Sequence, residues 1–381
     1  MQHCTRCHLE AGIDKVTFDS NGVCSYCHTI DKYAPILEKI GKQEALLTDR
    51  LDRFRNVGKY DCLVGFSGGK DSSYVIYRLR SHYNARVMAF TWDNGFLTDY
   101  ARENINLMVK EFDLDHEWVR PKDAVLRSVY RESITADCWP CSGCYHFAEA
   151  SPWKLAYEHR IPYIVHGRIP EQILRGPDDA SFESEDSLIA DNFQPYDLER
   201  VKRLAERTIK RFQGSREWLI PDRSLWPLSE EDMYLRSDFE LPDDFAPEVL
   251  GFFLYETHNE SRIMDILEKE TSWERPDQKT PLSHADCEAH DAAGWLYTQN
   301  YGRLFLNLEI SALVRHNKLD REEGAKILNA AREEVGEYPS ESMKALSAVC
   351  GISSFNLRLM PKRIKTTGLV KGAIKKLIGR S

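Results

Sequence analysis

Ser67-Gly68-Gly69-Lys70-Asp71-Ser72 puts two hydroxyls, two glycines, a lysine and a carboxylate into six consecutive positions. Glycines let the backbone turn sharply and approach an oxyanion with no Cβ in the way, serines offer hydroxyl protons, and Lys70 adds a point charge. The group such a loop suits is a phosphate. The apolar run Asp61-Cys62-Leu63-Val64-Gly65-Phe66 precedes it and a helical pattern from Ser72 to Leu79 follows. The loop therefore falls at a helix N-terminus, where unpaired N–H groups face an anion. A Walker A loop needs four residues between its first glycine and the Gly-Lys-Ser/Thr triplet. Here Gly65 stands too near Gly69-Lys70 and Asp71 follows the lysine, which disfavours kinase or GTPase chemistry. The bland alternatives are a glycine-rich turn with a solvated lysine and, for Asp71, a helix-capping carboxylate.

Cysteines form the second chemical signal. Cys4-x2-Cys7 and Cys24-x2-Cys27 are two pairs with the spacing of a four-thiolate zinc ribbon. Such a site contributes about 10–16 kcal/mol of metal-linked folding energy to a module too small for a core. His3, His8 and His28 read as flanking residues. Further on, Cys138-Trp-Pro-Cys141-Ser-Gly-Cys144 falls between two predicted strands, in an expected loop over the crevice. Two readings stand for it: a second metal knuckle or buried free thiols, or a site near the nucleotide. In the second, Cys138, Cys141 and Cys287, with Cys144 in reserve, hold zinc or an iron–sulfur cluster. Cys62 and Cys350 read as core residues.

These residues need elements to position them. Apolar runs at 61–66, 86–91, 116–119 and 161–166 alternate with helical patterns, which predicts an α/β fold with a doubly wound parallel sheet. The domain limits that follow are a zinc-ribbon-like module at 1–32, a helical linker at 33–59, the nucleotide domain at 60–220 and a mainly helical region at 221–381. Within the last, 310–328 reads as helical with Asp320 as its cap and Glu323 as the reciprocal partner. Lys362 to Arg380 reads as a basic amphipathic tail. The length of 381 residues suits more than one core. A net charge of −9 argues against a surface that coats nucleic acid. Neither a signal peptide nor a transmembrane segment is visible, and paired cysteines suggest a reducing, cytoplasmic setting.

Ser67-Gly-Gly-Lys-Asp-Ser72 after a strand resembles the PP-loop of the ATP pyrophosphatase superfamily, whose relatives are adenine nucleotide alpha hydrolase-like. That resemblance implies cleavage of ATP between its α and β phosphates. Ser67, Gly68, Gly69, Lys70, Asp71 and Ser72 would hold the departing pyrophosphate, with Lys70 and Asp71 as catalytic residues. It also implies Phe90, Thr91 and Trp92 near adenine, His166, Gly167 and Arg168 near the α-phosphate or substrate, and Mg2+ oriented by Asp71.

The combination Cys4-Thr-Arg-Cys7, Val16-Thr-Phe-Asp19, Gly22-Val-Cys24-Ser-Tyr-Cys27, Tyr60-Asp-Cys62 and Cys138-Trp-Pro-Cys141 is similar to the N-acetyl sugar amidotransferases of bacterial surface-polysaccharide biosynthesis. Asp286-Cys287 and Tyr301-Gly302-Arg303 extend the likeness. The activity it implies turns the acetamido group of an N-acetyl sugar, nucleotide-linked, into an acetamidino group for a polysaccharide such as LPS. AMP and pyrophosphate are released, and a separate glutaminase subunit supplies the ammonia. The alternative is a PP-loop sulfur transferase that thiolates RNA or a small molecule, with the mid-chain cysteines carrying a [4Fe-4S] cluster. Nucleic acid is a partner only under that alternative.

Overall fold

The structure is a computed structural model that describes residues 2–12, 16–55, 57–173, 198–225, 244–276 and 286–361. The predicted basic tail lies outside the described residues.

Short runs of apolar residues, bounded by polar loops, become the inner strands, buried on both faces, while the edge strand 115–119 stays partly exposed. Cys62–Gly65 (β1), Val87–Trp92 (β2), Asp115–Val119 (β3), Tyr163–His166 (β4) and Glu248–Gly251 (β5) form one parallel sheet, ordered β3-β2-β1-β4-β5. Val64 pairs with Ala89 on one side and Val165 on the other, and Val165 pairs with Leu250. Alternation along the strands sends side chains to two separate cores. Cys62, Val64, Val87, Ala89, Tyr163 and Val165 meet Val75, Ile76 and Leu79 of helix Lys70–Ser81 (α3) and Ile105 and Met108 of helix Asp99–Glu111 (α4). On the opposite face Leu63, Met88, Phe90 and Ile164 meet Trp153 and Leu155 of helix Pro140–Glu158 (α6) and Phe212 of helix Leu198–Leu219. The helix Asp123–Asp137 (α5) packs outside α6.

The chain is an α/β protein with a doubly wound parallel sheet, a four-cysteine module near its amino terminus and a mainly helical carboxy-terminal part. Because β1 lies between β2 and β4, the winding reverses there and the carboxyl ends of β1 and β4 border the crevice. The loop 67–72 leaves the end of β1 and residues 166–168 leave the end of β4.

The sheet takes its edge strand from 248–251, past the limit of 220 read from the sequence. A four-residue strand with an acidic first position carries too little pattern to be seen in advance, and Glu248 is buried against Arg50 of helix Glu44–Arg53. The patch read as 310–328 is two helices, Asn307–Arg315 and Arg321–Glu334, broken at Asn317, whose φ is +57°. Asp320 caps the second and accepts from the N–H groups of Glu322 and Glu323. Cys141 and Cys144 are not in a loop but on the first turn of α6, three apart on one face. Pro140 opens that helix, at a position where a missing N–H costs nothing.

Candidate active site

Gly68 has φ +78°, and a Cβ there would stand 2.3 Å from the Ala101 carbonyl oxygen of α4, so no other residue fits. Ser72 Oγ accepts from Ser67 N–H at 3.2 Å and donates to Gly69 O at 3.2 Å, closing the loop over the start of α3. Gly69 occupies the N-cap with no side-chain cap, which leaves the helix N–H groups for an anion. Lys70 Nζ lies 3.0 Å from Asp71 Oδ2 and 3.9 Å from Glu260 Oε2, while His258 Nε2 lies 2.9 Å from Asp71 Oδ1. Burial would raise the Asp71 carboxyl, but His258 and Lys70 outweigh it and hold it below the usual range. Trp273 Nε1 donates to Gly68 O at 3.2 Å.

Of the residues expected around the nucleoside, Thr91 is buried and donates its hydroxyl to Phe66 O at 2.6 Å. With that proton spent, His116 Nε2 at 2.8 Å must be the donor to Thr91 Oγ1. Burial pushes His116 down to about 4, which keeps it neutral. Phe90 points into the core beside α6. Neither side chain faces an open crevice, so what β2 can offer a nucleoside there is backbone. At the end of β4, Arg168 N–H donates to His166 Nδ1 at 3.2 Å, and a Cβ on Gly167 would come within 3.2 Å of the Asp71 backbone. Gly167 thus allows β4 to approach the phosphate helix, while Arg168 donates to Tyr145 Oη at 3.0 Å on the exposed rim.

Trp92 turns toward the cysteines instead: its Nε1 donates to Cys144 Sγ at 3.4 Å and its ring stacks on Phe147. Asn94 Nδ2 donates to Cys287 Sγ at 3.9 Å, and Tyr130 Oη donates to Asn94 O at 2.8 Å. Cys287 reaches this place because its segment is stitched to the loop after β2, with Thr98 N–H donating to Asp286 O and Glu288 N–H to Phe96 O. Cys141, Cys144 and Cys287 are half-buried. Burial and the charges of their neighbours push all three thiols up, Cys287 to about 12. Next to Cys287, burial raises Asp286 while the Ser67 hydroxyl and Lys70 oppose the rise, which links the thiols to the phosphate loop. Cys138 is placed differently. It ends α5 in a left-handed conformation and is fully buried, in the same apolar cluster against which Cys144 and Cys287 pack.

At the amino terminus Cys4 and Cys27 have sulfurs 3.9 Å apart, and those of Cys7 and Cys24 are 3.7 Å apart. All four lie within 4.8 Å of one another. A tetrahedral ion with metal–sulfur bonds of about 2.3 Å has edges of about 3.8 Å, so the four fit one ion. Arg315 Nη1 donates to Cys7 Sγ at 3.2 Å, and Asn307 bridges Glu10 N–H and His8 O. His28 pairs with Asp19 and His8 with the Arg321 carbonyl, which leaves both outside the thiol set.

His258, Trp273, Asn94 and Tyr130 were not singled out from the sequence. Their partners lie 187, 205, 193 and 36 residues away, a separation at which no local pattern signals a contact.

No family model matches the chain. It is 25% identical over 152 residues to an uncharacterised protein of Methanocaldococcus jannaschii, covering 40% of this chain and 53% of that one. The chain thus spans about half the length of that curated relative. Among solved structures it aligns with the U34-tRNA thiolase NcsA from Methanococcus maripaludis with its [4Fe-4S] cluster, at 15% identity and a TM-score of 0.38, over 89% of this chain and 88% of that one. No helix among the described residues is long and apolar enough to cross a membrane.

Proposed function

We propose that the chain is an AMP-forming, ATP-dependent enzyme of the PP-loop kind that activates an acceptor oxygen for displacement, with sulfur as the incoming atom. The acceptor oxygen attacks the α-phosphorus and the α–β bridging bond breaks. Pyrophosphate then departs onto Ser67 to Ser72, where α3 N–H groups, two hydroxyls and Lys70 take up its charge. A carbonyl oxygen is a poor leaving group, and the same oxygen carrying AMP leaves readily. The observation that carries the choice of sulfur is the gathering of thiols past the end of β2, where Trp92 donates to Cys144, Asn94 donates to Cys287, and Cys141 lies one helical turn before Cys144 on α6.

Two metal sites enter this reading. The four amino-terminal thiols fit a structural zinc ion. The crevice thiols do not form a group within 4.8 Å as those four do, and wider spacing suits a multi-iron cluster better than one tetrahedral ion. Cys141, Cys144 and Cys287 would hold a [4Fe-4S] cluster that would supply sulfur chemistry when bound, and Trp92 and Asn94 direct N–H groups at Cys144 and Cys287. Magnesium would accompany the phosphates. Both Asp71 oxygens are engaged by Lys70 and His258, contacts that the ion's water shell would share.

A second reading is favoured by a specific observation, the run of motifs over residues 1–175 similar to N-acetyl sugar amidotransferases. Ammonia from a glutaminase subunit then displaces AMP from an acetamido sugar. Substrate-dependent exchange of labelled pyrophosphate into ATP tests the shared first step, and ADP as product overturns both readings. Anaerobic purification separates them. Iron with acid-labile sulfide supports sulfur transfer, whereas zinc alone, with ammonia-dependent AMP release from an acetamido sugar, supports nitrogen transfer.

A further inference from the structure

Trp273 approaches the phosphate loop from behind and is 3% exposed. A buried indole N–H needs an acceptor, and the one it has is Gly68 O. Its own position is tightly tied. Glu274 N–H donates to Asn104 Oδ1 at 2.8 Å, Asn104 Nδ2 donates to Glu274 O at 3.0 Å, and the indole meets the Tyr100 ring edge-on. Ser272 N–H adds a bond to Glu111 Oε2 at 2.7 Å. The indole is therefore anchored to α4, the same helix whose Ala101 carbonyl crowds Gly68.

In a trans peptide the C=O and the following N–H point in opposite directions. With Gly68 O turned to Trp273, the Gly69 N–H must turn away from α4. Its contact there is a long one, 3.4 Å to Ser67 Oγ, which a stronger acceptor readily displaces. A peptide flanked by two glycines flips easily, so something outside the loop has to choose its orientation.

We propose that Trp273 is a positioning residue for pyrophosphate: its indole N–H fixes the Gly68–Gly69 peptide so that Gly69 N–H faces the bound phosphates. This deepens the phosphate-loop reading above and rests on it. Trp273 touches no reacting atom. It sets the direction of one donor and leaves the nucleoside side of the crevice alone.

The test is calorimetric titration of the full chain with inorganic pyrophosphate and, separately, with adenosine. Trp273→Phe keeps the ring against Tyr100 and removes the donor. Its expected result is pyrophosphate affinity weakened about tenfold or more, the scale of one hydrogen bond to a charged group, with adenosine affinity unchanged. Folded Trp273→Phe that binds pyrophosphate like the wild type overturns the inference, as does equal loss of both ligands, the mark of a merely structural role. Should Trp273→Phe not fold, Asn104→Ala decides. It loosens the strap without touching the indole, and unchanged pyrophosphate affinity there overturns the inference as well. Wild-type protein that binds neither pyrophosphate nor ATP brings down the loop's assignment itself, and this inference with it.

Discussion

Cys4, Cys7, Cys24 and Cys27 are fully buried, with sulfurs as near as 3.7 Å, and they meet backbone N–H groups and Arg315. Cys141, Cys144 and Cys287 are half-buried, stand wider apart, and meet the side chains of Trp92 and Asn94 next to a phosphate loop. The first set is fully buried, and its partners are N–H groups of the knuckle itself, Arg6 and Cys24, with Arg315 from helix Asn307–Arg315. The second is only half-buried, and its partners belong to the end of β2 and the loop after it, where a sheet of this kind places its ligands. Closed thiol sites stabilise and open ones react, so exposure and neighbours separate two groups that composition treats alike.

The comparison breaks most readily at the closed site. Cys24→Ser should forfeit metal-linked folding energy of about 10–16 kcal/mol, comparable to or above the about 5–15 kcal/mol that holds a typical domain. The expected outcome is loss of one equivalent of metal and of the cooperative thermal transition. Cys144→Ser should leave that transition within a few degrees. Equal melting of the two variants would erase the distinction.

Next in size is Lys70→Ala. Removing the charge that meets the departing pyrophosphate should lower pyrophosphate–ATP exchange by about a hundredfold to a thousandfold while circular dichroism stays unchanged. Asn94→Ala sharpens the comparison at the open site. Loss of an N–H aimed at Cys287 should cost about tenfold in metal retention or acceptor product, with exchange near the wild-type rate. A matching fall in exchange would mean that the thiols serve the first step too.

The smallest effect is a pH dependence. An ordinary histidine titrates near 6.5 and burial holds His116 near 4, so the unfolded chain binds this proton more readily between those values. Stability should therefore fall as pH drops from 6.5 toward 4, and His116→Asn, which still donates to Thr91, should flatten that limb of the melting-temperature profile.

The parallel sheet and the glycine turn between β1 and α3 were legible because the signals are local: a buried strand, a glycine turn and a helix start fall within twenty residues. The four amino-terminal thiols were legible from spacing alone. Three features escaped for one shared reason, that tertiary partners decide them. β5 is a strand only because β4 offers it an edge. Cys144 joins Cys287 because Pro140 starts a helix that carries Cys141 and Cys144 on one face, just past the left-handed Cys138 that ends α5. Phe90 and Thr91 sit at the expected strand end, yet strand alternation and the hydroxyl bond to Phe66 point them into the protein.

The bond from Glu10 N–H to Asn307 Oδ1 spans 297 residues, and that from Arg315 to Cys7 spans 308. On the ribosome the cysteine knuckle emerges long before the helices that cover Leu9 and Tyr26. Its apolar flank therefore stays uncovered throughout most of translation. Slow elongation would lengthen that interval.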